Sequence, residues 1–178
     1  MRRGPFLAFC FMSLTLSACA TFSSFGSAFS DYRRYVEGRV KTERLFDHGR
    51  QLFSAKVLVA DAALHAEQEK VTPGYSFRFD PAKDQVVLAV TSFGRRSPTA
   101  FDFQPRLNGQ PPDRIEEITS TSVVERLYPY AHPFYRVFLV DFARRPGVSN
   151  SMPNPAGSSN FEILSPWGRL TMLLEFGR

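Results

Sequence analysis

The chain has 178 residues and only two cysteines, Cys10 and Cys19, which both lie near its amino terminus. The chain after Cys19 therefore has no thiol for a disulfide or for metal binding. Its three histidines, His48, His65 and His132, do not have metal-ligand spacing. We expect a domain that folds without disulfides and uses no metal or other cofactor.

The sequence also lacks the common catalytic motifs. It has no Gly-x-Ser-x-Gly elbow, no His-Glu-x-x-His pair and no glycine-rich phosphate loop or nucleotide fingerprint. The adjacent carboxylates of Glu116 and Glu117 would point to opposite faces of a strand, so they could not share one substrate bond. We predict that the protein is not an enzyme, although motifs would not reveal a site assembled from distant residues.

Charge of one sign does not dominate any segment. The formal net charge is +5, with 22 basic and 17 acidic residues interspersed along the chain. No nucleic-acid-binding motif accompanies the basic balance, so nucleic acid is not an expected partner. The charge is at most an indication of contact with anionic lipid or cell wall.

The first eighteen residues have the order of an export signal. Arg2 and Arg3 precede an apolar stretch from Phe6 to Leu16, and small residues follow. This stretch is too short to span a bilayer, which takes about 20 residues. The alternatives are an ordinary secretory signal or an uncleaved signal anchor.

Leu16-Ser17-Ala18-Cys19 resembles the lipobox of bacterial lipoproteins at every position. The resemblance implies that residues 1–18 are a signal peptide, that the Cys19 thiol receives a diacylglyceryl group, and that signal peptidase II cleaves before Cys19. Two or three acyl chains would make attachment effectively stable.

The residue after Cys19 bears on localisation. In the sorting rule that accompanies the lipobox, an aspartate just after the cysteine retains a lipoprotein in the inner membrane, and this chain has Ala20. The resemblance therefore implies the outer membrane, facing the periplasm. Inner-membrane retention and surface display remain open.

Residues 19–38 are predicted to be a lipidated tether followed by a short amphipathic helix. Ala20 to Ser30 is rich in Ser, Gly and Ala, as is typical of a linker. Apolar residues spaced by three or four predict a helix from Ser27 to Glu37; they are Phe22, Phe25, Phe29, Tyr32 and Val36. The helix either packs on the domain or lies among lipid headgroups.

Residues 39–178 are predicted to form an immunoglobulin-like β-sandwich, with a half-open barrel as the alternative. Asp47-His48-Gly49 indicates a turn between two strands, and Asn108-Gly109 indicates another. The abundant phenylalanines are expected to supply much of the core. After a strand that ends at Ala60, the predicted strands are Tyr75–Phe79, Gln85–Phe93, Phe101–Leu107, Arg114–Thr119, Tyr135–Phe142, Phe161–Leu164 and Arg169–Phe176.

Two aromatic segments are candidates for contact with a partner. Leu127 to Tyr135 concentrates tyrosines and prolines ahead of a strong strand, and Trp167 stands in a turn. The first is either a rigid corner or a preformed binding surface, and Trp167 either caps the sandwich or contacts a partner. If they are exposed, Tyr128, Tyr130, Tyr135 and Trp167 are the expected docking residues.

These features predict a membrane-anchored periplasmic lipoprotein that acts as a structural or interaction module of the cell envelope. Its partners would be the membrane, through the acyl chains, and an envelope protein. The alternative is a carrier that holds a lipid or a small apolar ligand in a cavity between the sheets.

Overall fold

A computed structural model describes residues 28–74, 78–93, 98–131, 134–144 and 158–176. The predicted signal peptide, the lipobox and Cys19 lie outside these ranges, as do His132 and most of the predicted strand from Tyr75. In the described chain β-strands predominate and form two antiparallel sheets, consistent with the predicted β-sandwich.

Three helices and eight strands make up the described fold. The first helix, α1, covers residues 28–37. The other elements are β1 (Lys41–Asp47), β2 (Arg50–Val59), α2 (Ala62–Val71), β3 (Lys83–Ser92), β4 (Gln104–Leu107), β5 (Arg114–Glu117), α3 (Thr121–Leu127), β6 (Arg136–Ala143), β7 (Ser158–Ser165) and β8 (Gly168–Glu175).

The larger sheet has five strands in the order β1-β2-β3-β6-β5, and the smaller has three in the order β4-β7-β8. The predicted turn between β1 and β2 is confirmed. His48 and Gly49 both have positive φ, 47° and 78°, the geometry that a tight two-residue hairpin requires.

Both faces of the central strands β2, β3 and β6 are buried, because their residues alternate between two cores. Phe53, Leu88 and Phe138 are among the residues on one face, and they pack against the three-stranded sheet. Leu58, Val87 and Val137 are among those on the other face, which the helices cover. This explains why the central strands are apolar at consecutive positions.

Several predicted element boundaries are wrong. The strand predicted from Phe101 begins at Gln104, and the one predicted from Arg114 ends at Glu117. Arg78 and Phe79, within the strand predicted from Tyr75, are not in a strand. The sequence does not predict α3, because β-branched residues with low helix propensity make up much of it. Burial of Leu127 at its end holds this helix on the domain.

The predicted turn at Asn108-Gly109 exists, with φ values of 51° and 79°, but it does not form a hairpin between β4 and β5. These strands belong to different sheets, so the chain crosses from one layer to the other after the turn. β4 contains Pro105, and proline is tolerated there because β4 is an edge strand.

Arg39 and Asp61 join the end of α1 to the start of α2. Two guanidinium nitrogens of Arg39 donate to the two Asp61 carboxylate oxygens, at 3.1 and 2.6 Å. The same carboxylate caps α2 by accepting from the backbone N–H of Leu64 at 2.8 Å. Burial opposes ionisation of Asp61, but these bonds outweigh it and hold its pKa below the ordinary value.

We predict that Asp61→Asn lowers the free energy of unfolding by about 1–2 kcal/mol, because it removes the charge from the Arg39 pair and keeps a cap acceptor. Asp61→Ala should lower it by about 1 kcal/mol more, since the cap is also lost. Urea denaturation followed by circular dichroism measures both values. Equal stability of the wild type and the asparagine variant at pH 7 would contradict the role of the pair.

The stabilisation by Asp61 should depend on pH. Because the folded-state pKa is depressed, ionised Asp61 favours folding at pH values above the ordinary aspartate pKa of about 4. The contribution is lost as the pH falls from there through the folded-state pKa. The difference in the free energy of unfolding between the wild type and Asp61→Asn should therefore become smaller below about pH 4 in the same denaturation experiment.

Candidate functional site

The tyrosine-rich segment before β6 is packed onto the helix-covered face of the larger sheet. Lys56 Nζ, from β2, donates to the backbone carbonyl of Tyr130 at 2.7 Å and lies 4.7 Å from the centre of the Tyr135 ring. The Tyr135 hydroxyl donates to Ser54 Oγ at 3.2 Å. Burial and the nearby positive charge of Arg44 lower the pKa of Lys56. The hydrogen bond and the ring contact of Lys56 hold this segment on the sheet.

Tyr128 is 0 % exposed, so the partner-contact hypothesis, which required exposed side chains, does not extend to it. Tyr130 and Tyr135 are half-buried. A tyrosine does bond a backbone carbonyl at this corner, but it comes from α1. The Tyr32 hydroxyl donates to the Leu127 carbonyl at 2.5 Å and accepts from Gln68 Nε2 at 3.1 Å.

Two buried hydroxyls beside this network lack hydrogen-bond partners among the described residues, those of Tyr128 and Tyr130. Burial, reinforced by the neighbouring tyrosines, raises the pKa of both above the ordinary value. Gln68 lies close enough to Tyr128 to oppose this rise, yet without hydrogen-bond geometry. The two phenols therefore stay neutral and serve chiefly as apolar packing groups.

Trp167 lies on the other side of the five-stranded sheet. Its ring stacks on Phe53 with the ring centres 5.3 Å apart and the planes 9° apart, and it is half-buried. Gly168 follows with a φ of 137°, and a Cβ there would lie 3.3 Å from Leu45. Trp167 thus covers one end of the sandwich core, and the structure does not unite the four predicted contact residues in one surface.

Three exposed phenylalanines, Phe46, Phe93 and Phe134, lie with Trp167 at the same end of the larger sheet, which we call the aromatic end. β1 and β3 both run antiparallel to β2, so their last residues share an end with the start of β6. Phe46, Phe93 and Phe134, at those strand ends, are 58 %, 50 % and 73 % exposed. These three, like Phe101, are exceptions to the expectation that phenylalanines supply much of the core. Their position at strand ends is the sequence signal that separates them from core residues such as Phe53.

The two long sides of the sandwich differ. On one side β1 lies beside β8, and Lys41 Nζ donates to the Leu173 carbonyl. On the other, β5 pairs only with β6, and no strand among the described residues pairs with its outer edge. We call this second side the open side.

The open side carries an apolar cleft of about 300 Å³. The cleft lies where the chain crosses from β4 to β5; its lining includes Phe101, Phe103, Pro105, Pro111, Pro112 and Ile115. Phe103 packs edge-on against Phe138 in the core, whereas Phe101 is 97 % exposed. A small apolar group could enter this cleft.

Hydrogen bonds fix the turn that presents Phe101. Asp102 Oδ2 accepts from the backbone N–H and the hydroxyl of Thr99, at 2.6 and 2.7 Å, and the Asp102 N–H donates to the Thr99 carbonyl. Arg136 donates to the Pro98 carbonyl at 3.3 Å and forms a two-point ion pair with Glu117 at the end of β5. Phe101 is therefore exposed on a constrained turn.

We predict different outcomes for two buried tyrosines. Tyr32→Phe removes two hydrogen bonds and should lower the free energy of unfolding by about 1–2 kcal/mol. Tyr128→Phe removes a hydroxyl that has no hydrogen-bond partner among the described residues, so stability should stay unchanged or rise by up to about 1 kcal/mol. Chemical denaturation of the two variants in parallel measures their free energies of unfolding. A similar loss of stability in both would refute the prediction.

Within the described ranges, no group of three His, Asp or Glu side chains is placed to hold a metal ion. The helices of this part of the chain are also too short or too polar to cross a membrane. No family model, curated protein or solved structure matches the chain.

Proposed function

We propose that the chain is a membrane-anchored periplasmic lipoprotein that acts as a structural or interaction module of the cell envelope. The observation that carries the interaction role is Phe101, which is almost fully exposed on a constrained turn beside an apolar cleft. Placing a phenyl ring in water is unfavourable, and a turn that is already ordered loses little entropy on binding.

The proposed location rests on the amino-terminal sequence. Arg2 and Arg3, the apolar stretch and Leu16-Ser17-Ala18-Cys19 support export and acylation at Cys19. Ala20 supports the outer membrane over retention in the inner membrane. An immunoglobulin-like strand arrangement and an amphipathic amino-terminal helix belong to the same proposal. Face-to-face packing of two antiparallel sheets supports the first, and burial of Tyr32 and Val36 supports the second.

The partner that best fits the open side is an envelope protein with an apolar contact segment. Phe101 and the proline-lined cleft offer apolar contacts, and the outer edge of β5 offers backbone hydrogen-bonding groups to an extended chain. β5 is only four residues long and carries Arg114 and Glu116, features that discourage pairing with arbitrary strands. The edge can therefore bind one partner selectively without pairing with the strands of other proteins.

The cleft also favours a second candidate function, a carrier of a lipid or a small apolar ligand. It lies between the edge strands of the two sheets, and core residues such as Phe103 reach its wall. A carrier would hold an apolar group there, and Phe101 would then cover the ligand rather than bind a protein.

The anchor is tested by mass spectrometry of the amino-terminal peptide of the protein purified from membranes of a bacterial host. We expect a peptide that begins at Cys19 and carries the mass of diacylglyceryl and acyl groups. Cys19→Ala should block both processing and acylation. An unmodified amino terminus at another residue would refute the lipoprotein assignment.

The interaction role is tested by affinity purification of the tagged protein from mildly solubilised native membranes. We expect an envelope protein to co-purify in near-equal amount, and Phe101→Ser to abolish its recovery. Leu173→Ser is the control, because Leu173 is 45 % exposed and lies beside β1 on the opposite side. Equal recovery with Phe101→Ser would contradict the proposed surface, and recovery of a lipid or small molecule alone would favour the carrier.

A further inference from the structure

The aromatic end has a composition suited to a membrane surface. It presents three partly exposed phenylalanine rings and the half-buried Trp167, all at one end of the sandwich. Phenyl and indole groups favour the boundary between lipid headgroups and acyl chains. The rings extend from strand ends that the hydrogen-bonded sheet holds in place, so they could enter a bilayer without reordering the fold.

The length of the tether limits how far the domain can be from lipid. Residues 20–27, eight in number, separate Cys19 from the first described residue of α1. Even fully extended, they reach about 30 Å. That distance is comparable with the length of β2, whose ten residues span about 33 Å. An acylated chain could not carry the domain far from the bilayer.

A basic side chain at the aromatic end could bind the phosphate group of a lipid. Arg50 begins β2 beside the hairpin turn, is exposed and forms no ion pair within the described residues. Its cross-strand neighbour is Asp47, whose carboxylate Oδ1 lies 2.7 Å from Nδ1 of His48. Arg50 is therefore available to bind a phosphate group while the rings enter the apolar layer.

We propose that the aromatic end docks onto the lipid bilayer that holds the chain. This inference rests on the proposed acyl anchor and adds a second contact with the same membrane. Docking fixes the orientation of the domain, because the sheet end then faces the lipid. The outer edge of β5 lies along the strands, so it stays accessible to a protein, whereas Arg136 at the start of β6 holds the Phe101 turn near the aromatic end through the Pro98 carbonyl.

The only tryptophan of the chain is Trp167, which makes the aromatic end observable. The experiment uses the full mature protein reconstituted into vesicles of phosphatidylethanolamine with a minor share of phosphatidylglycerol. One set of vesicles carries bromine on the acyl chains near the headgroup, and the other carries none. We expect the brominated lipid to quench Trp167 fluorescence, since bromine quenches only at short range.

Phe46→Ser, Phe93→Ser and Phe134→Ser in one chain should abolish the quenching, and Leu173→Ser should preserve it. Circular dichroism establishes that each variant is folded. If the triple variant unfolds, the single substitutions replace it, and each should reduce quenching. Trp167 fluorescence that is insensitive to bromine in the wild type, or quenching that is unchanged in folded phenylalanine variants, would overturn the proposal.

The mass of the amino-terminal peptide, measured on the same sample, separates this inference from the anchor. Acylated protein without quenching would leave the anchor intact and refute docking. Quenching of protein that is not acylated would support docking and refute the anchor. Absence of both would refute both.

Discussion

Burial of both faces of the central strands β2, β3 and β6 is the constraint on which the rest of the fold depends. β3 lies at the centre of the five-stranded sheet, and six consecutive residues, Val86 to Thr91, are buried. Such a strand needs apolar cover on each side, so the three-stranded sheet and the helical layer are both required. The short edge strands and loops are then free to form surfaces, and both proposed contact surfaces lie there.

Periodicity in the sequence predicts the central strands well. The turn at His48-Gly49 and the apolar runs of β3 and β6 reflect local chemistry, and the structure contains them. Local pattern does not determine which strands share a sheet. β4 and β5 follow each other across a tight turn, yet they lie in different layers, because each is paired through contacts distant in sequence.

Which aromatic side chains are exposed at the candidate surfaces is harder to predict from the sequence than the strands are. A phenylalanine contributes to the core in the middle of a strand and becomes exposed one or two residues beyond its end, and sequence patterns locate strand ends poorly. Phe53 and Phe93 illustrate this: hydrogen bonding joins their segments, but only Phe53 lies beneath the second sheet. Tyr128 shows the reverse, since a tyrosine in a proline-rich segment is fully buried directly after α3, a helix that the sequence does not predict.

The contacts of α1 have a mechanical consequence. Any load applied to the chain before residue 28 enters the fold through this helix, which is held by the Arg39–Asp61 pair and by the Tyr32 hydroxyl. These bonds join α1 to α2 and to the end of α3 rather than to a single strand. Tension at the amino terminus is thereby distributed over the helical layer, and the hydrogen bonds between the strands are spared until that layer separates from the sheet.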